Sequence, residues 1–511
     1  MKLYLKLLSL LTLIAACNSD NKKTDDGQEP HRPQIHFSPQ AHWMNDPNGL
    51  LFYNNVYHLF YQYYPDSTVW GPMHWGHATS TDMVHWQHQP IALYPDSLGY
   101  IFSGSAVADV NNTSGLGKDG KTPLVAIFTH HDPEGEKTGK VNYQNQSLAY
   151  SLDDGKTWTK YPGNPVLKNP GIKDFRDPKV SWYEAGKKWL MTLATQDRIT
   201  FFSSPNLKDW TKESEFGQNI GAHGGVWECP DLFPMNYHNE KVWVLLVSIN
   251  PGGPNAGSAT QYFTGKFDGK TFTPYDTTVR WIDYGPDDYA GVTWSNTGDR
   301  RIFLGWMSNW LYGTSVPTEK WRSAMTVPRD LSLEKIDGKY FLMSRPVPEL
   351  NSITENPVSK ENITTNNLDL TTITGKLAGP AKLELKLNEL SNFTITLAND
   401  SAQKLVIGYD KASNNYYIDR TGAGNVNFKE GFAAKHTAPR ILKTPNTSIT
   451  LILDVASVEL FADDGLTVMT EIFFPGKPFT DISIQSPEKL NIVSLKYSKL
   501  KPVFGPNAEP R

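Results

Sequence analysis

The chain is poor in cysteine: only Cys17 and Cys229 occur among its 511 residues. At most one disulfide bond is possible, which excludes the disulfide-stapled scaffolds of small exported proteins. The sequence also lacks paired-cysteine spacings and a His-Glu-Xaa-Xaa-His motif, so it predicts no metal site and no cofactor. Stability must therefore come from hydrophobic cores, and a chain of this length is expected to form two folded units.

An excess of positive charge is lacking as well. The formal net charge of −4 provides no basic field, so no nucleic-acid partner is expected. Long apolar runs are absent beyond the N-terminus, which excludes a multi-span membrane protein. Aromatic residues, in contrast, make up 12% of the chain, with 15 Trp and 23 Tyr. This composition favours β-structure and suits stacking against sugar rings.

The N-terminus predicts export. In residues 1–16, Lys2 and Lys6 accompany an apolar stretch that is too short to span a membrane. The sequence Leu-Ile-Ala-Ala-Cys resembles a bacterial lipobox, which predicts cleavage before Cys17, lipidation of its thiol and anchoring to a membrane. Cleavage of an ordinary secretory signal is the alternative. Residues 17–33 are polar and lack large apolar side chains, so they predict a disordered tether.

Residues 34–345 alternate short apolar strands with Gly, Pro, Asp and Asn turns. A weak repeat of strand, polar turn and aromatic residue recurs at spacings of roughly 50 to 70 residues, which is typical of one four-stranded blade per period. The segment from Arg301 to Leu333 completes the set. The pattern predicts an all-β fold with a five-bladed β-propeller, although a coincidence of hairpins would give a similar pattern. The aromatic residues that end the repeats are Trp86, Trp158, Trp210 and Phe272.

The stretch 346–360 turns polar, and Pro346, Pro348 and Pro357 interrupt regular structure there, so we expect a linker. Residues 361–505 then alternate strictly between apolar and polar side chains, which predicts the half-buried strands of a C-terminal β-sandwich. The sequence gives no indication of an oligomeric state.

Three acidic residues lie in segments unlike their surroundings: Asp46 in His-Trp-Met-Asn-Asp-Pro-Asn-Gly, Asp177 in Asp-Phe-Arg-Asp-Pro, and Glu228 in Val-Trp-Glu-Cys-Pro. Each segment taken alone is also reasonable turn chemistry. The apolar and cationic neighbours are of the kind that tune carboxyl groups for catalysis. Retaining glycoside hydrolysis needs one carboxylate as nucleophile and one carboxyl as acid, and a third beside an arginine could stabilise the transition state.

The ordered segments WMNDPNG, FRDP and WECPD resemble the three signatures of glycoside hydrolase family 32, the β-fructosidases. Further stretches, among them WGPMHWGHATSTDMVHW, FSGSAV, LGWMSNW and SVELFADDG, are similar to its levanase and exo-inulinase branch. The resemblance covers nearly everything from Gln34 onward. It implies a five-bladed propeller with an axial active site, followed by a sandwich, and a fructan or fructo-oligosaccharide as substrate.

The resemblance also implies residue roles. Asp46 would be the nucleophile, Glu228 the acid and then the base, and Asp177 the stabiliser of the transition state. Asp287, in Asp-Asp-Tyr-Ala where relatives commonly have Asp-Phe-Tyr-Ala, is a candidate substrate contact. The other expected pocket residues are Asn45, Gln62, Trp70, Phe102, Ser103 and Arg176, with Trp306 and Trp310 as candidate walls whose alternative is packing within a blade.

Three other functions remain open on the sequence: a five-bladed arabinan hydrolase, a carbohydrate-binding propeller protein without activity, and fructosyl transfer in place of hydrolysis. Levan, inulin and sucrose are not distinguished, although levan is favoured. Exo and endo action depend on loops that the sequence does not describe.

Overall fold

The computed structural model describes residues 29–504. Residues 1–16, Cys17 and most of the expected tether lie outside this range. Within the described range, no helix is long and apolar enough to cross a membrane. The end of the expected tether is folded, because Arg32 donates a 2.6 Å hydrogen bond to the carbonyl of Pro39 and lies 4.6 Å from the ring of Trp321. The prediction of disorder was therefore wrong for residues 29–33.

The first unit is a propeller of five blades, as predicted, and each blade is an antiparallel sheet whose first strand lies nearest the axis. Helix α1 (Pro133–Lys137) connects the second and third strands of blade II, and a short 3₁₀ helix (Glu184–Gly186) lies in blade III. Blade I contains β1 (His42–Tyr53), β2 (Val56–Tyr64), β3 (His74–Ser80) and β4 (Gln87–Leu93); blade II contains β5 (Tyr100–Ala108), β6 (Leu124–His131), β7 (Gln144–Ser151) and β8 (Thr159–Lys160); blade III contains β9 (Phe175–Tyr183), β10 (Lys188–Thr195), β11 (Ile199–Ser204) and β12 (Thr211–Phe216).

The last two blades carry short additional strands. The ring closes because β20 pairs with β1 in parallel, and because the first strands of adjacent blades contact one another around the axis. Blade IV contains β13 (Val226–Tyr237), β14 (Glu240–Asn250), β15 (Ala259–Phe267), β16 (Phe272–Pro274) and β17 (Arg280–Trp281); blade V contains β18 (Tyr289–Thr293), β19 (Ile302–Met307), β21 (Ala324–Met325), β22 (Arg329–Ile336) and β23 (Lys339–Pro346), with β20 (Trp321–Arg322) preceding β21.

The sequence repeat corresponds to the turn between the third and fourth strands of blades I to IV. In three of these turns the tryptophan indole donates to the carbonyl of the residue three positions earlier. The distances are 2.9 Å for Trp86, 3.0 Å for Trp158 and 3.0 Å for Trp210. The repeat is therefore a structural turn motif, in which one buried donor finds its partner in the same turn.

Every first strand carries a β-bulge at the same level of the ring. In each, two residues of the first strand lie opposite one residue of the second, which re-aims their side chains. Positive φ angles occur at Asp177 (65°), Cys229 (45°) and Ala290 (56°) within three of them. The residues in the five bulges are Asn45 and Asp46, Phe102 and Ser103, Asp177 and Pro178, Cys229 and Pro230, and Ala290 and Gly291.

The second unit is the sandwich, formed by one hydrogen-bonded sheet that folds back on itself. Strand β33 joins the two layers, because its first part pairs with β26 and its last part with β25. Leu383, Leu451, Ile395 and Ile407 from both layers share one buried core. The elements are β24 (Thr354–Asp369), α2 (Thr371–Thr374), β25 (Ala381–Leu387), β26 (Phe393–Ala398), β27 (Lys404–Asp410), β28 (Asn415–Asp419), β29 (Lys435–Pro439), β30 (Thr447–Leu453), β31 (Ser457–Ala462), a 3₁₀ helix (Asp463–Gly465), β32 (Thr467–Ile472) and β33 (Asp481–Leu500).

The expected linker 346–360 is regular structure instead. Pro348 begins a 3₁₀ helix (Pro348–Ile353), and β24 starts at Thr354 and pairs with β33. Pro348 and Pro357 misled the prediction because both lie in positions that tolerate proline. Pro348 lies in the first turn of its helix, and Pro357 lies in the register shift between Glu355 and Val358.

The two units join through buried charges. Arg329 of the propeller, with no exposed surface, donates to Asp283, Asp288 and Glu459, the last of which belongs to the sandwich. A buried arginine is tolerated when its donors are paired with carboxylates, as they are here.

Candidate active site

One end of the propeller axis opens into a cavity of ≈ 270 Å³. Because the first strands of neighbouring blades contact one another around the axis, residues far apart in sequence meet here. Ten of the residues predicted from the sequence line the cavity: Asn45, Asp46, Gln62, Trp70, Phe102, Ser103, Arg176, Asp177, Glu228 and Trp310.

Asp46 lies at the base of the site and accepts three side-chain hydrogen bonds. Ser103 Oγ donates at 2.6 Å, Asn45 Nδ2 at 2.9 Å and Cys229 Sγ at 3.4 Å. Burial raises the pKa of Asp46, and the nearby charge of Glu228 raises it further, whereas the three donors oppose the rise. The carboxylate is thus fixed in orientation by the neighbours that favour its charged form.

Asp177 has a strongly raised pKa. Burial raises the pKa of Asp177 to about 7; the charges of Glu228 and Asp46 contribute to the rise, while Arg176 and the Cys229 backbone N–H oppose it. That N–H donates to Asp177 Oδ2 at 3.0 Å. A carboxyl group held this way is a strong acceptor for sugar hydroxyls.

Glu228 has a side chain 20% exposed to the cavity. Arg176 donates to its Oε1 from Nη2 at 3.0 Å and from Nε at 3.2 Å, and the Tyr289 hydroxyl donates to its Oε2. Burial and the charge of Glu228 raise the pKa of Tyr289 well above its usual value, so the phenol keeps its proton and remains a donor. Arg176 is itself oriented by a 2.6 Å hydrogen bond to Asp174.

Cys229 links the two aspartates. Its Sγ lies 3.4 Å from Asp46 Oδ2 and 3.7 Å from Asp177 Oδ2. Burial and the surrounding negative charges raise the pKa of the Cys229 thiol well above its usual value. The thiol is therefore neutral, and it separates two carboxyl groups without adding charge.

The walls of the cavity are aromatic. On one side Trp70 packs edge-on against Phe102 at 6.0 Å, and Phe102 stacks on His131 at 4.1 Å. Burial lowers the pKa of His131 to about 4, so the ring is neutral when it stacks. On the other side Trp310 stacks on Trp43 at 5.8 Å. Rings facing a polar base form a slot suited to a sugar.

Comparison with known proteins identifies the family. Residues 36–346 match the glycosyl hydrolases family 32 N-terminal domain, and residues 349–499 match the family 32 C-terminal domain. The chain belongs to glycosyl hydrolase family 32. It is a glycoside hydrolase.

Relatives of this family-32 chain agree over most of its length. It is 44% identical to the levanase of Bacillus subtilis (strain 168) over 513 residues, which cover 98% of this chain and 75% of the levanase. The crystal structure of exo-inulinase from Aspergillus awamori superposes with a TM-score of 0.84 at 38% identity, covering 93% of this chain and 99% of that one. The β-fructofuranosidase from Schwanniomyces occidentalis complexed with fructosyl-erythritol gives a TM-score of 0.84 at 35% identity, covering 92% and 98%.

Two candidate residues do not lie in the family-32 pocket. Asp287 is fully buried between the two units, where Arg420 donates to it at 2.7 Å and Tyr312 at 2.7 Å, so it is not a substrate contact. Trp306 has no exposed surface and packs 5.9 Å from Trp43, so it supports the wall without forming it. The sequence misled for Asp287 because it does not report where the propeller and sandwich meet. For Trp306 the alternative that the sequence left open, packing within the propeller, is the one observed.

Five lining residues were not predicted from the sequence. His131 ends strand β6, and its Nε2 lies 3.1 Å from Glu136 Oε2 on helix α1. A polar residue at the end of an otherwise apolar strand was the available signal, but its direction depends on the blade. The five residues are His131, Glu136, Tyr143, Gln144 and Asp174.

Proposed function

We propose that this family-32 enzyme hydrolyses β-fructofuranosyl linkages of a fructan with retention, through a covalent fructosyl-enzyme. The observation that carries the proposal is the convergence of Asp46, Asp177 and Glu228 in one cavity, each with different hydrogen-bond partners. Retaining glycosidases need such a division of roles between carboxyl groups. The relatives named levanase and exo-inulinase support a fructan as the substrate.

In the first step, Asp46 attacks the anomeric carbon of the fructosyl unit while Glu228 gives its proton to the departing oxygen. Ser103 and Asn45 orient the attacking carboxylate. Arg176 and Tyr289 hold the Glu228 carboxylate that is left, which stabilises its new charge. Asp177 accepts hydrogen bonds from fructose hydroxyls, which strengthen as positive charge develops on the sugar.

In the second step, Glu228 takes a proton from water, and the hydroxide oxygen displaces Asp46 from the fructosyl unit. The hemiketal product has the configuration of the substrate because the carbon has been inverted twice. A sugar hydroxyl in place of water would give transfer, so product analysis at high substrate concentration distinguishes the two outcomes.

The decisive experiment compares the purified wild type with Asp46→Asn on levan, inulin, sucrose and arabinan. We expect fructose release from at least one fructan and loss of roughly 10⁴-fold in kcat for the variant with its fold retained, as for other essential nucleophiles. Release of sugar from arabinan alone, or normal turnover by the variant, would refute the proposal. The size distribution of early products from levan and inulin separates exo from endo action.

Export and anchoring form a separate proposal, which rests on the N-terminal sequence alone. We propose that Cys17 is lipidated and holds the enzyme at a membrane of the exporting cell. In the producing bacterium, Cys17→Ser should move the enzyme from the membrane fraction to the soluble fraction. An unchanged membrane fraction would refute the anchor, and a wild type already soluble would favour the ordinary secretory signal.

A further inference from the structure

The sandwich carries a surface groove that is separate from the catalytic pocket. This groove has a volume of ≈ 630 Å³, compared with ≈ 270 Å³ for the catalytic pocket, and the two share no lining residue. It is formed by the outer face of one layer, on strands β24, β33, β26, β27 and β28, together with Lys435 of β29.

A row of directly paired residues forms the floor of the groove. Asn367 pairs with Gln485, Gln485 with Thr394, Thr394 with Gly408, and Gly408 with Tyr417. Cross-strand partners lie on the same face of a sheet, and the residues that alternate with them belong to the buried core. The row is therefore an outward-facing line of polar groups on a rigid support.

Gly408 makes room for the ring of Tyr417 in this row. A Cβ at Gly408 would lie 2.6 Å from the Cζ and 2.6 Å from the hydroxyl oxygen of Tyr417, so the phenol ring covers the glycine. The Lys435 ammonium lies 3.7 Å from the centroid of the same ring. Tyr417 is thus held in the groove between Gly408 and Lys435, because a glycine within a strand permits this close approach.

The polar groups of the groove are unused within the described part of the chain. The side chains of Asn367, Gln485 and Thr394 and the hydroxyl of Tyr417 have no hydrogen-bond partner there. Asn392 accepts from the Lys411 N–H at 2.7 Å through Oδ1, which leaves its Nδ2 donors free. These amides and hydroxyls offer both donors and acceptors on adjacent strands, as recognition of a hydroxyl-rich ligand requires.

The charge of the groove disfavours a cationic ligand. Asp410, the one carboxylate of its lining, is satisfied by its own turn, through the Ala412 N–H at 3.0 Å and the Ser413 hydroxyl at 2.7 Å. Lys435 is the only cation that lines it. A neutral, polyhydroxylated chain fits this combination better than a metal ion or a basic peptide.

We propose that this groove is a non-catalytic binding site for the fructan polymer, holding a run of fructosyl units while a chain enters the propeller. The inference rests on the proposed function, since it takes the substrate of the catalytic pocket as the ligand. Binding at two linked sites raises the apparent affinity for a polymer that can reach both, and leaves short substrates unaffected.

The test uses two matched double variants of the full chain. Thr394→Ala with Gln485→Ala removes a facing pair in the groove. Thr396→Ala with Ser483→Ala removes the next facing pair on the same two strands, outside the groove. For binding, each double variant is combined with Asp46→Asn and its retardation is measured in gels containing levan, inulin or dextran. For activity, each double variant is assayed with intact Asp46 on a fructo-trisaccharide, on levan and on inulin.

We expect the apparent affinity of the groove variant for one fructan to fall roughly tenfold or more. Dextran should not retard any of the proteins. Its kcat/KM should fall on that polymer and stay unchanged on the trisaccharide. The control variant should have the same apparent affinity and the same kcat/KM as the protein without groove substitutions. The inference would be overturned if the groove variant and the control variant were retarded equally by each fructan, whether both kept or both lost apparent affinity. Retardation by dextran would also overturn it. Failure to hydrolyse the trisaccharide and the polymers with intact Asp46 would instead refute the proposed function.

Discussion

Asp46 is held between opposing influences, since burial and Glu228 raise its pKa and the hydrogen bond from Ser103 lowers it. Ser103→Ala removes the shortest of the three side-chain hydrogen bonds that Asp46 accepts. Because the nucleophile must be ionised, its acidic limb in the pH profile of kcat/KM should move upward by about one pH unit, the effect of one hydrogen bond to a charged group.

The control for this change is Ser103→Thr, which retains a hydroxyl donor and should keep the acidic limb near that of the wild type. An Ala variant whose limb stays in place would contradict the prediction, because the hydrogen bond from Ser103 would then not control the pKa of Asp46.

The raised pKa of Asp177 has a consequence for stability. The folded protein binds this proton more tightly than the unfolded chain, in which the pKa of Asp is near 3.8. The free energy of unfolding therefore falls as the pH rises from about 4 to about 7. Asp177→Asn removes this titration. It should stabilise the enzyme at pH 8 by up to about 4 kcal/mol, and by little near pH 4, while it abolishes activity.

Thermal unfolding of both proteins across this pH range checks the sign. A variant that gains the same Tm at pH 4 and pH 8 would indicate improved packing without a role for the buried charge. A variant less stable than the wild type at pH 8 would contradict the prediction.

At the scale of the strands, the five bulges set the local backbone direction of the first strands at the axis. In blade V, Ala290 has a φ of 56° and no exposed surface, and it follows Tyr289, which donates to Glu228. Ala290→Gly relieves this conformation and should leave kcat and stability nearly unchanged. Ala290→Val combines a β-branched side chain with positive φ, so it should cost about 2 kcal/mol or more and lower kcat.

Ala108→Val provides the control, since this half-exposed strand position has an ordinary backbone and accepts a β-branched residue. Thermal unfolding and kcat measure both effects. Equal loss for the two valine variants would mean that added volume matters and the bulge does not.

These bulges also show how far the sequence could predict the site. The resemblance of their motifs to family 32 was enough to predict that Asp46, Asp177 and Glu228 share one pocket, and the turn repeat correctly indicates the blades. The bulge itself has no distinct signal, because one additional residue in a strand preserves composition and nearly preserves alternation. His131 and Glu136 therefore could not be assigned to the pocket in advance.

At the scale of the whole molecule, the propeller and sandwich form one body through Arg329 and its carboxylate partners. Arg329→Met leaves Asp283 and Asp288 buried without a cation and Glu459 with only His36 as a cationic partner, which should cost about 3–5 kcal/mol. The double variant Arg329→Met with Glu459→Met should recover part of this loss. Both are measured by denaturant unfolding, and a single variant as stable as the wild type would contradict the prediction.

The same interface explains why the sequence misplaced Asp287. The residue lies one position from Asp288 in a motif near a catalytic strand, and motif position favours a role in the pocket. Its partner Arg420 is 133 residues away in the sandwich. A contact of this sequence separation leaves no local pattern, so only the folded structure reveals it.

The polar groups at the axis come from short segments of the first strands: the two residues of a bulge and, in blades III, IV and V, the residue just before it, which is Arg176, Glu228 or Tyr289. The blade framework and the reacting groups can therefore be varied independently. Exchanging one such segment for that of another propeller enzyme should change the groups contributed by one blade and leave the other blades unchanged. The molecule is in this sense modular around its axis, because each blade contributes its groups from a short, separate stretch of sequence.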